Sequence, residues 1–183
     1  MEKFKKIFIP GWMDTVKNRV DFEGIDIWKK DFNPKQKIDA EYIVGHSAGA
    51  NYALLNWQNN KEAKLILVAP VIPRRSIYSW IYRIIKFWIF EGTDMSIERM
   101  KCFKYLFSSS IQLKKLLQID LMPIIFEIPK ENLIIIRGKK DKFIFDDTIT
   151  SELKSKGINI IEIKEVGHNW NKKFEEEINK ITR

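Results

Sequence analysis

Cysteine is nearly missing from this sequence: Cys102 is the only one in 183 residues. One thiol closes no internal disulfide and excludes a multi-cysteine metal site, so Cys102 reads as a small buried hydrophobe in a reduced setting. Histidine is almost as scarce, and any imidazole chemistry falls to His46 or His168. No secretory leader is expected either. Residues 1–10 hold only a short apolar run before Pro10, against roughly 7 to 15 residues in a signal-peptide core, and a cytoplasmic protein is expected. The longest apolar-rich stretch, residues 77–90, is interrupted by Tyr82, Arg83 and Lys86. It is shorter than the roughly 20 residues that span a bilayer, so no stable membrane insertion is expected.

Dense tracts of one charge are absent as well. The formal charge is +8, a balance that draws phosphate, yet basic residues alternate with acids, as in Glu62-Ala63-Lys64 and Lys172-Lys173-Phe174-Glu175. No nucleic-acid partner is expected from such a pattern. What the chain does have is 45% hydrophobic and 31% charged residues, the balance of one globular domain with a real core.

Short runs rich in Ile, Leu and Val recur with helical segments between them, the pattern of a mostly parallel, doubly wound α/β sheet. Six strands are predicted, at residues 6–9, 25–28, 42–44, 64–68, 133–136 and 158–163, with helices at 48–57, 146–156 and 171–181. The span between Pro10 and Ile25 is short for a crossover helix. Residues 71–131 break the alternation and read as a helical insertion. Ile77, Trp80 or Ile81, Ile84 and Trp88 recur at helical spacing, as do Ile97, Met100, Phe103 and Phe107. Ten Lys or Arg against six Asp or Glu give this insertion a net +4.

Gly45-His46-Ser47-Ala48-Gly49 stands directly after a predicted strand and directly before a predicted helix. A serine hydroxyl is a poor nucleophile unless a sharp turn presents it to a base, and such a turn demands small neighbours. Ala48 then opens a helix whose amides can face a developing oxyanion. His46, at a variable position of the motif, is read as structural, which leaves His168 as the base by elimination. His168 follows the last predicted strand, where open α/β sheets build their sites. The acid that orients it should come from another strand end, and Asp141 fits best. Asp146 and Asp147 are alternatives that read as the N-cap and first turn of the next helix. After the strand ending at Val68 no acid occurs until Glu91.

The order Ser47, Asp141, His168, with Phe8-Ile9-Pro10-Gly11-Trp12, Gly138-Lys139-Lys140-Asp141 and Gly167-His168, resembles the α/β-hydrolases over most of the chain outside the insertion. The short N-terminal half is similar to compact serine hydrolases related to retinoblastoma-binding protein 9. The resemblance implies an ester, thioester or small-amide hydrolase that forms an acyl-enzyme, with no metal or organic cofactor and a small-molecule acyl substrate. It also implies that Trp12 N–H joins Ala48 N–H as oxyanion donors, with Met13 as the alternate donor. The insertion then matches a cap over the site. Met13, Trp80 and Trp170 are expected to touch substrate, while Trp80, Trp88, Phe103 and Phe107 have a sufficient role in packing the cap. Arg74, Arg75, Arg83 and Lys86 beside Trp80 and Trp88 also allow a basic amphipathic face for anionic membrane. A non-catalytic binding protein and an acyltransferase remain as competing readings, and the oligomeric state is left open.

Overall fold

A computed structural model describes residues 4–18, 22–28, 37–72, 76–92 and 105–183. The expectations for Cys102, Arg74, Arg75, Ile97, Met100 and Phe103 lie outside these residues. The core element is a parallel sheet of five strands, β1 (Phe4–Ile9), β2 (Ala40–His46), β3 (Lys64–Val68), β4 (Leu133–Gly138) and β5 (Asn159–Ile163), in the order β1-β2-β3-β4-β5. Helices cover both faces, as expected for an α/β sheet of this kind.

The strand period of two divides each apolar run between two cores. Ile7, Ile9, Ile43, Leu65, Leu67, Leu133 and Ile135 face one side, packed with residues of α1 (Ala48–Trp57), α4 (Met122–Glu127) and α5 (Asp147–Ser155). Phe8, Val44, Ile66, Val68 and Ile136 face the other, against Phe174 and Ile178 of α6 (Lys172–Ile181). All of α1 except Leu55 is buried, and its run of Ala and Gly lets it lie close to the sheet. Asn51 on α1 exchanges two hydrogen bonds with the Val71 backbone, at 2.8 and 3.1 Å. That exchange fixes the point at which the chain leaves β3 and satisfies a polar side chain with no solvent exposure.

The sixth predicted strand, residues 25–28, is not formed. One bridge, Phe8 to Gly24, is all that pairs there. Asp26 supplies the reason. Its carboxylate accepts from the Val16 amide at 2.7 Å and from Thr15 Oγ1 at 3.2 Å, local bonds that compete with a strand ladder. Ile27 and Trp28 are nevertheless buried, so the apolar pattern serves packing and not pairing.

Between β3 and β4 lie α2 (Ile77–Phe90), α3 (Leu106–Leu117) and α4. Trp80 and Phe87 of α2 pack with Leu117 of α3, Val71 and Ile144 in a third apolar cluster. The choice between Trp80 and Ile81 falls to Trp80, which is 1% exposed against 49%. Phe107, expected to pack, is 82% exposed on α3. Among the described residues no helix is long and apolar enough to cross a membrane.

Candidate active site

All five strands run the same way, so their carboxyl ends form one edge, and the chemistry gathers there. Trp12 follows β1, Ser47 follows β2, Asp141 follows β4 and His168 follows β5. Ser47 sits between β2 and α1 with φ of 52° and ψ of −123°, a left-handed conformation that costs a non-glycine residue about 1–3 kcal/mol. Its amide donates to Val68 O at 2.8 Å, which holds the turn in place. Gly49 is required by proximity: a Cβ there would collide with the Ile9 and Pro10 carbonyls. At Gly45 it would come within 2.5 Å of Ala50 Cα.

The three residues singled out from the sequence come together. Ser47 Oγ lies 2.8 Å from His168 Nε2, and His168 Nδ1 lies 2.7 Å from Asp141 Oδ2. Asp141 has no solvent exposure and His168 only 6%. Burial works against the Asp141 charge. The His168 imidazole, through charge and hydrogen bond, together with the Ile144 and Phe145 amides, nevertheless holds the carboxyl below the usual carboxylate range. Those two amides donate to Oδ1 at 3.0 and 3.2 Å. An ionised Asp141 accepts from Nδ1–H, which leaves Nε2 free to accept from the Ser47 hydroxyl. His46 Nε2 donates to the His168 carbonyl at 3.0 Å, a structural contact.

Trp12 and Ala48 both line the pocket over Ser47. The Trp12 amide has no acceptor among the described residues, and the Ala48 amide, in the first turn of α1, precedes the helix's own hydrogen bonds. Trp28 Nε1 donates to Gly11 O at 2.6 Å and Trp12 Nε1 donates to Ser109 Oγ of α3 at 3.2 Å, so the loop is gripped from two sides. Met13, with φ of 56°, shapes this turn but does not line the pocket.

A pocket opens over Ser47. Its walls are apolar, with Val71, Trp80, Ile84, Phe87, Leu113 and Leu117 among them. Trp80 is therefore placed where expected. Trp170 is not: it packs on Phe8 and Phe174 on the α6 side of the sheet, and its Nε1 donates to Glu175 Oε1 at 2.6 Å. Among the described residues no group of three or more His, Cys, Asp or Glu is placed to hold a metal ion.

Two residues that the motifs did not point to support this arrangement. Arg137, with no solvent exposure, donates to the carbonyls of Gly138 and Asp141 at 3.3 and 3.2 Å and pairs with Asp147 at 2.9 Å, bracing the Asp141 turn. A charge closing an otherwise apolar strand was its only signal. Glu91, just past α2, accepts the His168 amide at 2.7 Å. No local pattern links it to a residue so distant in the chain.

Sheet order, the strand-to-helix turn at Ser47 and the placement of all three residues at one strand edge define an α/β-hydrolase fold. Solved structures agree. E-2-(acetamidomethylene)succinate hydrolase superposes with a TM-score of 0.63 at 13% identity, covering 98% of this chain and 90% of its own. N-formylmaleamic acid deformylase from Pseudomonas putida S16 gives 0.55 at 15% identity, covering 91% and 86%. An α/β-hydrolase enzyme from a Medee basin deep-sea metagenome library gives 0.58 at 12%, covering 100% and 87%. No protein-family model matches the chain, and no curated protein does.

Proposed function

We propose that the protein is a serine hydrolase of the carboxylesterase kind, cleaving an ester, thioester or small amide with an uncharged, apolar acyl group. The observation that carries this reading is the continuous contact from Ser47 Oγ through His168 to Asp141, at 2.8 and 2.7 Å, opening into an apolar pocket. Ser47 Oγ attacks the carbonyl carbon while His168 Nε2 takes its proton. The carbonyl oxygen gains the electron pair and is received by the Trp12 and Ala48 amides. Collapse of that intermediate breaks the bond to the leaving group, which takes the proton from Nε2. Water, deprotonated by the same nitrogen, then releases the acid. Loss of one oxyanion donor would cost about a hundred- to a thousand-fold in rate.

In this reading residues 71–131 serve as a cap whose α2 and α3 form the acyl wall. No step needs a metal or an organic cofactor. The test is labelling with a fluorophosphonate probe in wild type, Ser47→Ala and His168→Ala, with the modified residue located by mass spectrometry. Labelling at Ser47 that disappears in both variants is expected. A folded wild type that takes no probe and turns over no p-nitrophenyl ester would instead favour a binding role for the pocket.

A further inference from the structure

The base is held by more than Asp141. Glu91 Oε2 accepts the His168 backbone amide at 2.7 Å, and a Cβ on Gly167 would collide with that same oxygen. The loop is shaped around the carboxylate. Glu91 Oε1 is buried, and the Lys142 amide also lies beside the carboxylate. One residue on, Gly92 O accepts from Asn169 Nδ2 at 3.0 Å. One turn back, Phe87 meets the His168 imidazole edge to face, with centroids 5.4 Å apart. The end of α2 therefore touches residues 168 and 169 in three separate ways.

Burial disfavours a carboxylate's charge, so a buried carboxylate facing the His168 loop costs free energy that a neutral acceptor would avoid. Burial pushes the Glu91 carboxyl above its ordinary range. The His168 amide pulls it down, the Asp141 charge pushes it up, and the His168 charge and the Lys142 amide pull it down. The groups that act on it are thus Asp141 and the Lys142 amide after β4 and His168 after β5, with the His46 ring 5.6 Å from the His168 ring.

Resting on the serine-hydrolase reading, we propose that Glu91 is a positioning residue for the base: it fixes the His168 loop through the backbone amide and adds a second negative charge beside the imidazolium that forms during acyl transfer. Glu91→Gln keeps the shape and an accepting oxygen but loses the charge, whereas Glu91→Ala loses both. In Glu91→Gln, kcat for a p-nitrophenyl ester falls about tenfold, since a unit charge some distance beyond contact is worth roughly one decade in rate. KM stays within about twofold, because Glu91 does not line the pocket. Without the neighbouring anion the imidazolium is less favoured, and the acid limb of kcat/KM moves to lower pH.

Stability moves the other way. A carboxyl raised in the fold contributes stability below its unfolded value and loses it as pH rises through the folded value. Replacing Glu91 by neutral Gln therefore leaves the melting temperature at pH 7 unchanged or higher, an outcome that a merely structural carboxylate would not give. The experiment measures kcat, KM, the pH profile and the melting temperature of both variants beside wild type. A Glu91→Gln protein with wild-type kcat and an unmoved acid limb overturns the proposal, as does one in which kcat and melting temperature fall together. If wild type neither takes the fluorophosphonate nor turns over ester, the hydrolase reading is what has failed. Amide exchange at His168 then decides: faster exchange in Glu91→Ala supports the positioning role, and unchanged exchange overturns it.

Discussion

Replacing Asp141 by Asn tests the site most directly. Asn fits the same space, and its Oδ1 can still accept from the Ile144 and Phe145 amides, which now donate to the carboxylate at 3.0 and 3.2 Å. What it lacks is the charge opposite the imidazolium, which in wild type sits in contact through a 2.7 Å hydrogen bond. Two unit charges about 4 Å apart at an effective dielectric of about 20 attract by about 4 kcal/mol, close to three decades in rate at about 1.4 kcal/mol per decade. An Asn amide that turns its NH₂ toward Nδ1 adds to this by selecting the wrong tautomer, which leaves Nε2 protonated and unable to accept from Ser47. The expected loss in kcat for a p-nitrophenyl ester at pH 7–8 is therefore about 10³- to 10⁴-fold, with KM little changed. Circular dichroism and a thermal melt establish that the variant is folded. A folded Asp141→Asn enzyme that loses less than tenfold would refute the assignment and turn attention to Glu91 as the working carboxylate.

Two further outcomes follow from the same geometry. Trp80→Ala enlarges the pocket wall and moves preference toward longer or bulkier acyl groups in a p-nitrophenyl series, whereas Trp170→Phe, altering a side chain on the other side of the sheet, leaves that preference where it was; equal effects would contradict the pocket. Because the Asp141 carboxyl is held below its ordinary value, it contributes stability above the unfolded value of about 4 and loses it as pH falls through the folded value. The melting-temperature gap between wild type and Asp141→Asn should therefore be constant from about pH 5 to 7 and close below about pH 4. A gap that widens on acidification would contradict that sign.

The candidate residues could be picked out in the sequence because their pattern is local. Gly45-His46-Ser47-Ala48-Gly49 needs only its flanking strand and helix to be read, and two histidines leave little choice of base. What could not be read depends on which way a side chain turns or on what a distant segment supplies. Trp170 is two residues from His168, yet it leaves the loop toward the opposite face to pack on Phe8. Residues 25–28 carry a strand-like pattern, but Asp26 diverts the backbone by bonding Thr15 and Val16. Glu91 reaches His168 from 77 positions away, through a helix end whose direction no periodicity records. Phe107 keeps the spacing of a packing residue while pointing outward.

The helical segment between β3 and β4 also bears on how such a molecule can be rebuilt. It grips the two loops that must stay still: Ser109 of α3 holds the Trp12 indole, and Glu91 with Gly92, just past α2, holds residues 168 and 169. A segment with those ties is not an interchangeable module. Exchange for a helical pair from another protein, chosen to give a new acyl preference, would remove the anchors of both loops together with the pocket wall. In the proposed hydrolase, selectivity and turnover are thus inherited as one piece, and a successful graft has to bring its own substitutes for Ser109 and Glu91.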